Sequence, residues 1–363
     1  MSQISIKDKC FQCSIVGPTR TCICKKARYC GLQCQRMHWK IHKQSCPLIV
    51  IKSIEGKGLG IVSTRNIPAG TILIQEDPII VHEGGSSKLD DFLKKFINLD
   101  ASEKFEYMNL YDPEEKSNVV RQDIVGKLPE IDQSNWVFKI WRIFYANSIL
   151  VSEKQGVRAE AVYPTVSRIN HSCKPNVVFG LDEHDDGKMV ITACRDIVKN
   201  EELVLNYIGP ILFSDRKERQ SELKKGWCFE CCCEICLLSG KELEVNERIR
   251  QEIRDIASKI QSCVEPSLQG TLKAFSLGQK KLKLMDLIQE EALLSMPFAL
   301  MDCYGQAKAV EFFGGKVNVD PSMYKSRAAE LCSVLGPSAR AVCKEMEEVD
   351  SKLLTKWTSW RAT

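Results

Sequence analysis

Long hydrophobic runs are missing from this chain of 363 residues. No stretch approaches the roughly 20 apolar residues that a membrane helix needs, so no membrane span is expected. A strong charge of either sign is missing too: 51 lysines and arginines face 47 aspartates and glutamates, for a formal net charge of +4. That balance lets a basic patch meet an acidic protein but falls short of the footprint of a dedicated nucleic-acid binder. The first residues, Met1-Ser2-Gln3-Ile4-Ser5, lack the positive start and apolar run of a secretory signal.

What the chain has in abundance is cysteine, 18 in all. In a small secreted protein these would suggest disulfides. Here they cluster at spacings that suit metal, and the expected compartment is the reducing cytoplasm, the nucleus, or both. Residues 10–46 hold seven of the cysteines, together with His38 and His42 and little apolar material, so metal must supply most of the stability of that segment. The ligand pairs are Cys10-x2-Cys13, Cys22-x-Cys24, Cys30-x3-Cys34 and His42-x3-Cys46, an inventory for two tetrahedral zinc sites. Only Ile23 separates Cys22 from Cys24, which makes the second site the less regular, and His38 is an alternative ligand if the register shifts. The inventory alone leaves the pairing open. A later cluster, Cys231-x-Cys233-x2-Cys236, offers three thiolates and needs a fourth ligand from elsewhere, with Cys228 and Cys232 as competitors.

Between the clusters the pattern is that of short strands and tight turns. Gly56-Lys57-Gly58-Leu59-Gly60 is a glycine-rich turn running into a strand, and Asn66-Ile67-Pro68-Ala69-Gly70 precedes another, Thr71 to Gln75. From about Lys88 to Val151 the periodicity becomes helical. Asp91 to Phe96 and Trp136 to Tyr145 read as helices, the latter apolar around much of its circumference and therefore buried. Strands return at Val177 to Leu181 and Met189 to Cys194, joined by the polar stretch Asp182 to Gly187. Beyond Cys236, Ile249, Ile253, Ile256 and Ile260 mark one helical face. Further helices are expected at Gln279 to Leu294, Pro297 to Phe313, Ser322 to Leu335 and Ser338 to Leu354. Charged stretches such as Arg216-Lys217-Glu218-Arg219 read as a solvated helix face.

Three strings then combine: Asn170-His171-Ser172-Cys173 with Pro175-Asn176, Glu202-Leu203-Val204-Leu205-Asn206-Tyr207, and Trp227-Cys228-Phe229-Glu230-Cys231-Cys232-Cys233-Glu234-Ile235-Cys236. In this order they resemble the cofactor, catalytic and zinc elements of a SET domain. The Cys10 to Cys46 block resembles a MYND finger, and the whole resembles the SMYD family of SET and MYND domain protein-lysine methyltransferases. Because the finger stands before the glycine-rich turn and the helical C-terminal stretch is short, the resemblance is to a divergent branch.

The resemblance implies an α+β fold in four segments: a MYND-type finger (1–47), a SET domain (48–215) split by a helical insertion (about 88–151), a post-SET zinc segment (216–240) and a helical C-terminal domain (241–363). It implies transfer of methyl from S-adenosylmethionine to a lysine ε-amine of a histone or non-histone protein. Lys57, Gly58, Leu59, Gly60, Asn170, His171, Tyr207 and Phe229 would then contact the cofactor, with Tyr207 catalytic and Trp227 beside it in the lysine channel. At a phenol pKa of about 10, Tyr207 orients by hydrogen bonding instead of acting as a bulk base. Trp227 stands where a tyrosine is more common, and Tyr163 matches an aromatic near the cofactor.

The resemblance also implies three zinc ions, one on Cys10, Cys13, Cys30 and Cys34, one on Cys22, Cys24, His42 and Cys46, and one on Cys173, Cys231, Cys233 and Cys236. Proline-containing peptides are the implied partners of the finger, alongside the protein substrate. Direct DNA binding is not expected, since two zincs supply neither a recognition helix nor clustered charge. The alternative function is a catalytically weak or inactive adaptor that recruits transcriptional or signalling partners.

Overall fold

The computed structural model describes residues 9–22, 27–84, 89–114, 135–154, 157–182, 187–263 and 267–339, with Val342, Lys344 and Glu348 beyond them. The chain divides into two units, Met1–Pro68 with Asp196–Leu203, and Ala69–Arg195 with Val204–Thr363.

In the first unit, β1 (Arg20–Thr21) and β2 (Arg28–Tyr29) pair antiparallel and lead into α1 (Leu32–Ser45). Gly31 precedes this helix without a side-chain cap, and the helix ends where the Cys46 N–H donates to the His42 carbonyl. The buried apolar cluster here is Cys10, Cys22, Ala27, Tyr29 and Cys46. So small a cluster supplies little burial energy at roughly 25 cal/mol per Å², and three of its five members are sulfur ligands in waiting. A hairpin follows, β3 (Ile49–Ile54) and β4 (Gly58–Ser63), in register from Ile49 opposite Ser63 to Ile54 opposite Gly58. Gly56 and Gly58 have φ of 71° and 75°, left-handed values that a Cβ disfavours. The segment 196–203 returns against β4: the Leu203 N–H donates to Ile61 O at 2.8 Å and the Ser63 N–H to Glu201 O at 2.9 Å. Lys57 Nζ meets Glu202 Oε2 at 2.7 Å beside the glycine turn.

The second unit holds two antiparallel three-stranded sheets and a short parallel pair. Its strands are β5 (Ile72–Glu76), β6 (Ile80–Glu83), β7 (Ser148–Lys154), β8 (Val157–Val162), β9 (Asn170–His171), β10 (Val177–Leu181), β11 (Met189–Ala193) and β12 (Val204–Leu205). The sheet orders are β10-β11-β5 and β6-β8-β7, and β9 runs parallel to β12. Among the described residues, α2 (Leu89–Asn98), α3 (Ala101–Met108) and α4 (Asn135–Asn147) lie in the expected helical insertion between β6 and β7. Asp100 and Glu103 close a reciprocal capping box on α3. Most of the apolar surface of α4 is buried as expected, with Trp136 and Tyr145 left exposed: Trp141 stacks on Phe144 at 5.3 Å, and Phe92 of α2 packs edge-on to Phe144 at 4.8 Å.

Among the described residues, helices α5 (Arg216–Trp227), α6 (Gly240–Ser262), α7 (Leu268–Leu287), α8 (Gln289–Ala292), α9 (Met296–Phe312) and α10 (Ser322–Leu335) follow. The helix expected from Gln279 begins instead at Leu268, where Ser267 accepts the Gly270 N–H, and it breaks at Ile288 before Leu294. Gly270 and Gly278 lower the helix propensity that the sequence presents. Gly278 is needed for packing, because a Cβ there would lie 2.6 Å from Gln306 Oε1 and 2.8 Å from Cys303 Sγ on α9. Ile249, Ile253 and Ile256 of α6 are buried as expected, and one core joins these helices to Val178 of β10. The expected helix Ser338 to Leu354 lies largely outside the described residues, as does most of the Asp182 to Gly187 connection. Among the described residues no helix is long and apolar enough to cross a membrane.

Phe92 is fully buried among rings. Phe92→Ala is expected to cost about 3–5 kcal/mol in a urea unfolding titration, with a cost under 1 kcal/mol contradicting this packing.

Candidate active site and metal centres

The sulfurs of Cys173, Cys231, Cys233 and Cys236 lie within 4.8 Å of one another, Cys173 to Cys236 at 3.6 Å. Zinc–sulfur bonds of about 2.3 Å in a tetrahedron put sulfurs about 3.8 Å apart, so the cluster has the size of a tetrathiolate site. Its protonation behaviour also fits a cation. Hydrogen bonding from Cys173, and then from Cys231 and Cys236, holds the Cys233 thiol far below its ordinary value, while the same contacts push Cys173 far above it. Four thiols this close ionise at one another's expense, and a divalent ion removes the conflict. Cys173 stands 58 residues before Cys231 and is fully buried. Cys228 and Cys232 are outside the cluster. Cys228 instead ends α5 in a left-handed conformation, φ 62°, its N–H donating to Lys224 O.

Helix α5 cradles this cluster. Gln220 Nε2 donates to Cys231 O, and Gln220 Oε1 accepts the Cys231 N–H, both at 2.7 Å. Arg216 Nη1 donates to Cys236 O at 3.0 Å and Leu238 O at 2.9 Å. Arg219 is completely buried, with Nη2 at 3.9 Å from Cys236 Sγ and Nη1 donating to Ser214 O at 2.6 Å. The solvated face read from the sequence is therefore corrected. Arg216 and Arg219 turn inward with Gln220 and Leu223 at helical spacing, and only Lys217 and Glu218 fit the solvated reading. Four charged residues in succession conceal that periodicity.

The Asn170-His171 strand also adjoins the sulfur cluster. Its His171 Nδ1 accepts the Tyr207 backbone N–H at 3.1 Å, so Nε2 carries the proton of the neutral ring, and Nε2 lies 3.6 Å from Cys173 Sγ. The Tyr207 hydroxyl donates to Ile169 O at 2.5 Å. Ring centroids follow in a row: His171 to Tyr207 at 5.3 Å, Tyr207 to Trp227 at 5.1 Å, and His171 to Phe229 at 6.1 Å. Tyr207, Trp227 and Phe229 are all partly buried and pack on the same cluster as the cysteines. The structure thus brings together Asn170, His171, Cys173, Tyr207, Trp227, Phe229 and the three later cysteines.

Lys57, Gly58, Leu59 and Gly60 belong to the first unit, at the hairpin turn. At Gly58 an added Cβ would meet nothing within 4 Å, so the demand for glycine there is its positive φ.

Several supporting residues escaped the sequence reading. Glu76 accepts the N–H groups of Thr165 and Val166 at 2.8 and 2.9 Å, pinning the turn Val166–Arg168 that leads into Asn170. The Trp227 indole donates to Ala146 O at 3.0 Å, and the Trp227 carbonyl accepts from Tyr111 at 2.8 Å, so the helical insertion grips this aromatic. No local pattern signals such contacts between distant segments. Tyr163 is fully buried with its hydroxyl on Gly187 O at 2.5 Å, a packing position.

In the first unit, Cys10, Cys13, Cys30 and Cys34 form one sulfur cluster, and Cys22, His42 and Cys46 a second group. The interleaved arrangement is the one the resemblance implied. Cys24 lies outside the described residues. Hydrogen bonding with Cys13 raises Cys30 to about 12, the crowding seen in the other cluster. Burial, and then His38, lower the His42 pKa, favouring the neutral ring that a metal requires. His38 is not in the group; its Nδ1 lies 3.0 Å from the Tyr29 hydroxyl. Elemental analysis should therefore find three zincs per chain, two in Cys173→Ser and three still in Cys228→Ser and Cys232→Ser. Loss of an ion from either of the last two would overturn the ligand set.

The family model for the SET domain matches residues 58–208, and that for the MYND finger residues 10–46. Human histone-lysine N-methyltransferase SMYD3 is 26% identical over 272 residues, covering 70% of this chain and 56% of that protein. Mouse histone-lysine N-methyltransferase Smyd1 is 28% identical over 234 residues, covering 59% and 43%. Histone-lysine N-methyltransferase ASHR1 of Arabidopsis thaliana is 25% identical over 251 residues, covering 67% and 49%. The chain spans about half the length of these curated relatives. The finger match, which holds two of the three ligand clusters, precedes the SET match, which holds Cys173 of the third, and this order places the chain with the proteins that combine a MYND finger and a SET domain.

Proposed function

We propose that this protein is an S-adenosylmethionine-dependent protein-lysine methyltransferase with three structural zinc ions, acting in the cytoplasm or nucleus. The observation that carries the reading is the row of Tyr207, Trp227 and Phe229 on the sulfur cluster, with Tyr207 held at its N–H by His171 and at its hydroxyl by Ile169. S-adenosylmethionine supplies an electrophilic methyl on a sulfonium. Phe229 offers a partly buried ring face for the adenine, and Asn170 and His171 offer the β9 backbone beside it. Lys57, Gly58, Leu59 and Gly60 are kept as cofactor contacts on their sequence pattern alone.

The lysine amine must be neutral to attack, and an apolar wall raises the cost of ammonium. Trp227 and Tyr207, 5.1 Å apart, supply that wall. With its proton given to Ile169 O, the Tyr207 oxygen is an acceptor that can orient the amine in line with the methyl–sulfur bond. The indole of Trp227 is held by Ala146 and cannot donate to the substrate at the same time, so its part is shape.

We also propose the division 1–47 finger, 48–215 SET domain, 216–240 post-SET segment and 241–363 helical domain, with the finger as a docking module for proline-containing peptides. The substrate is a protein lysine, histone or non-histone. Incubating zinc-loaded protein with methyl-labelled S-adenosylmethionine and a pool of histones and cell lysate should label discrete proteins. Tyr207→Phe should lower labelling at least about 100-fold, the span expected of a lost positioned hydrogen-bonding group, while keeping its zinc. Labelling at the wild-type rate in that variant would refute the role of Tyr207. Failure of the wild type to label anything or to bind S-adenosylmethionine would favour an adaptor.

A further inference from the structure

We propose that Arg219 is the buried counter-ion of the Cys173, Cys231, Cys233 and Cys236 metal centre, holding its charge and retaining its metal. The guanidinium is 0% exposed, and among the described residues no carboxylate stands within ion-pairing distance of it. Its Nε has no hydrogen-bond partner there, Nη1 is satisfied by the Ser214 carbonyl, and Nη2 faces Cys236 Sγ at 3.9 Å. A buried cation without an anion costs several kcal/mol. Four thiolates around a divalent ion carry a net charge of about −2, which makes the metal centre the anion that the guanidinium otherwise lacks. The next arginine inward, Arg250, is already matched by Glu291 and Asn246.

The position on α5 supports the same assignment. Arg219 lies between Arg216 and Gln220, both of which already hold the backbone of the ligand loop, so the helix presents a charge to the sulfurs and hydrogen bonds to their carbonyls. Donors and cations around a zinc ligand set commonly change metal retention by about 10–100-fold. This is a positioning role that does not depend on methyl transfer.

Zinc release from the full, zinc-loaded chain to a chromogenic chelator tests it. In Arg219→Met, one of the three zinc equivalents should leave at least about 10-fold faster than in wild type while two keep their rates, and in Arg219→Lys that equivalent should leave at an intermediate rate. Wild-type rates for all three in Arg219→Met would overturn the assignment. If Arg219→Met loses all three together, the chain has unfolded and the decision passes to the cobalt-loaded Arg219→Lys protein. A sulfur-to-cobalt charge-transfer band displaced from wild type supports direct contact of the guanidinium with the thiolates, and an identical band overturns it.

Discussion

The second unit's candidate site depends on one constraint, the convergence of four sulfurs from two distant stretches of chain. Cys173 stands two residues past the end of β9, and Cys231, Cys233 and Cys236 follow α5, so a metal at their centre fastens the end of one strand to the loop after a helix. Both stretches also carry the residues proposed for chemistry. His171 is two positions before one ligand, and Phe229 is two positions before another. A tetrathiolate ion therefore fixes the spacing between the Asn170-His171 strand and the aromatic segment, together with Ile208, Leu212, Leu223 and Ile235, which pack in one cluster with the sulfurs.

The neutral His171 ring extends that constraint to Tyr207. One nitrogen accepts the Tyr207 N–H and the other faces the Cys173 sulfur, so the tyrosine backbone and the metal ligand share one imidazole. The helical insertion acts on the neighbouring ring, where Tyr111 and Ala146 hold both the carbonyl and the indole of Trp227. Tyr207 and Trp227 are thus set by different parts of the chain, one through the sulfur cluster and one through the aromatic core around Trp141 and Phe144. In the first unit the same logic appears at smaller scale, with sulfur and imidazole groups standing where a larger domain would have a core.

How far the sequence discloses this varies with the range of the interaction. The three ligand clusters were legible because thiolate pairs at short spacing have few other uses, and the α4 helix was legible because apolar residues cover much of its circumference. The start of α7 was hidden by Gly270 and Gly278, the second of which is selected by contact with α9 and not by helix propensity. Arg219 was hidden for a related reason. A buried guanidinium and an exposed one have the same letter, and only the sulfur cluster 3.9 Å away gives the burial a cause. The contacts of Glu76 to Thr165 and of Tyr111 to Trp227 join positions 89 and 116 residues apart, beyond any local period.

The central claim, that the sulfur-bound metal organises the tyrosine and aromatic row into a binding site, is tested most directly by calorimetric titration of S-adenosylmethionine into zinc-loaded wild type, Cys236→Ser and Cys46→Ser. The account predicts heat of binding in wild type and Cys46→Ser and its loss, or weakening by at least about 10-fold, in Cys236→Ser. Equal affinity in Cys236→Ser, with its one zinc gone, would contradict it.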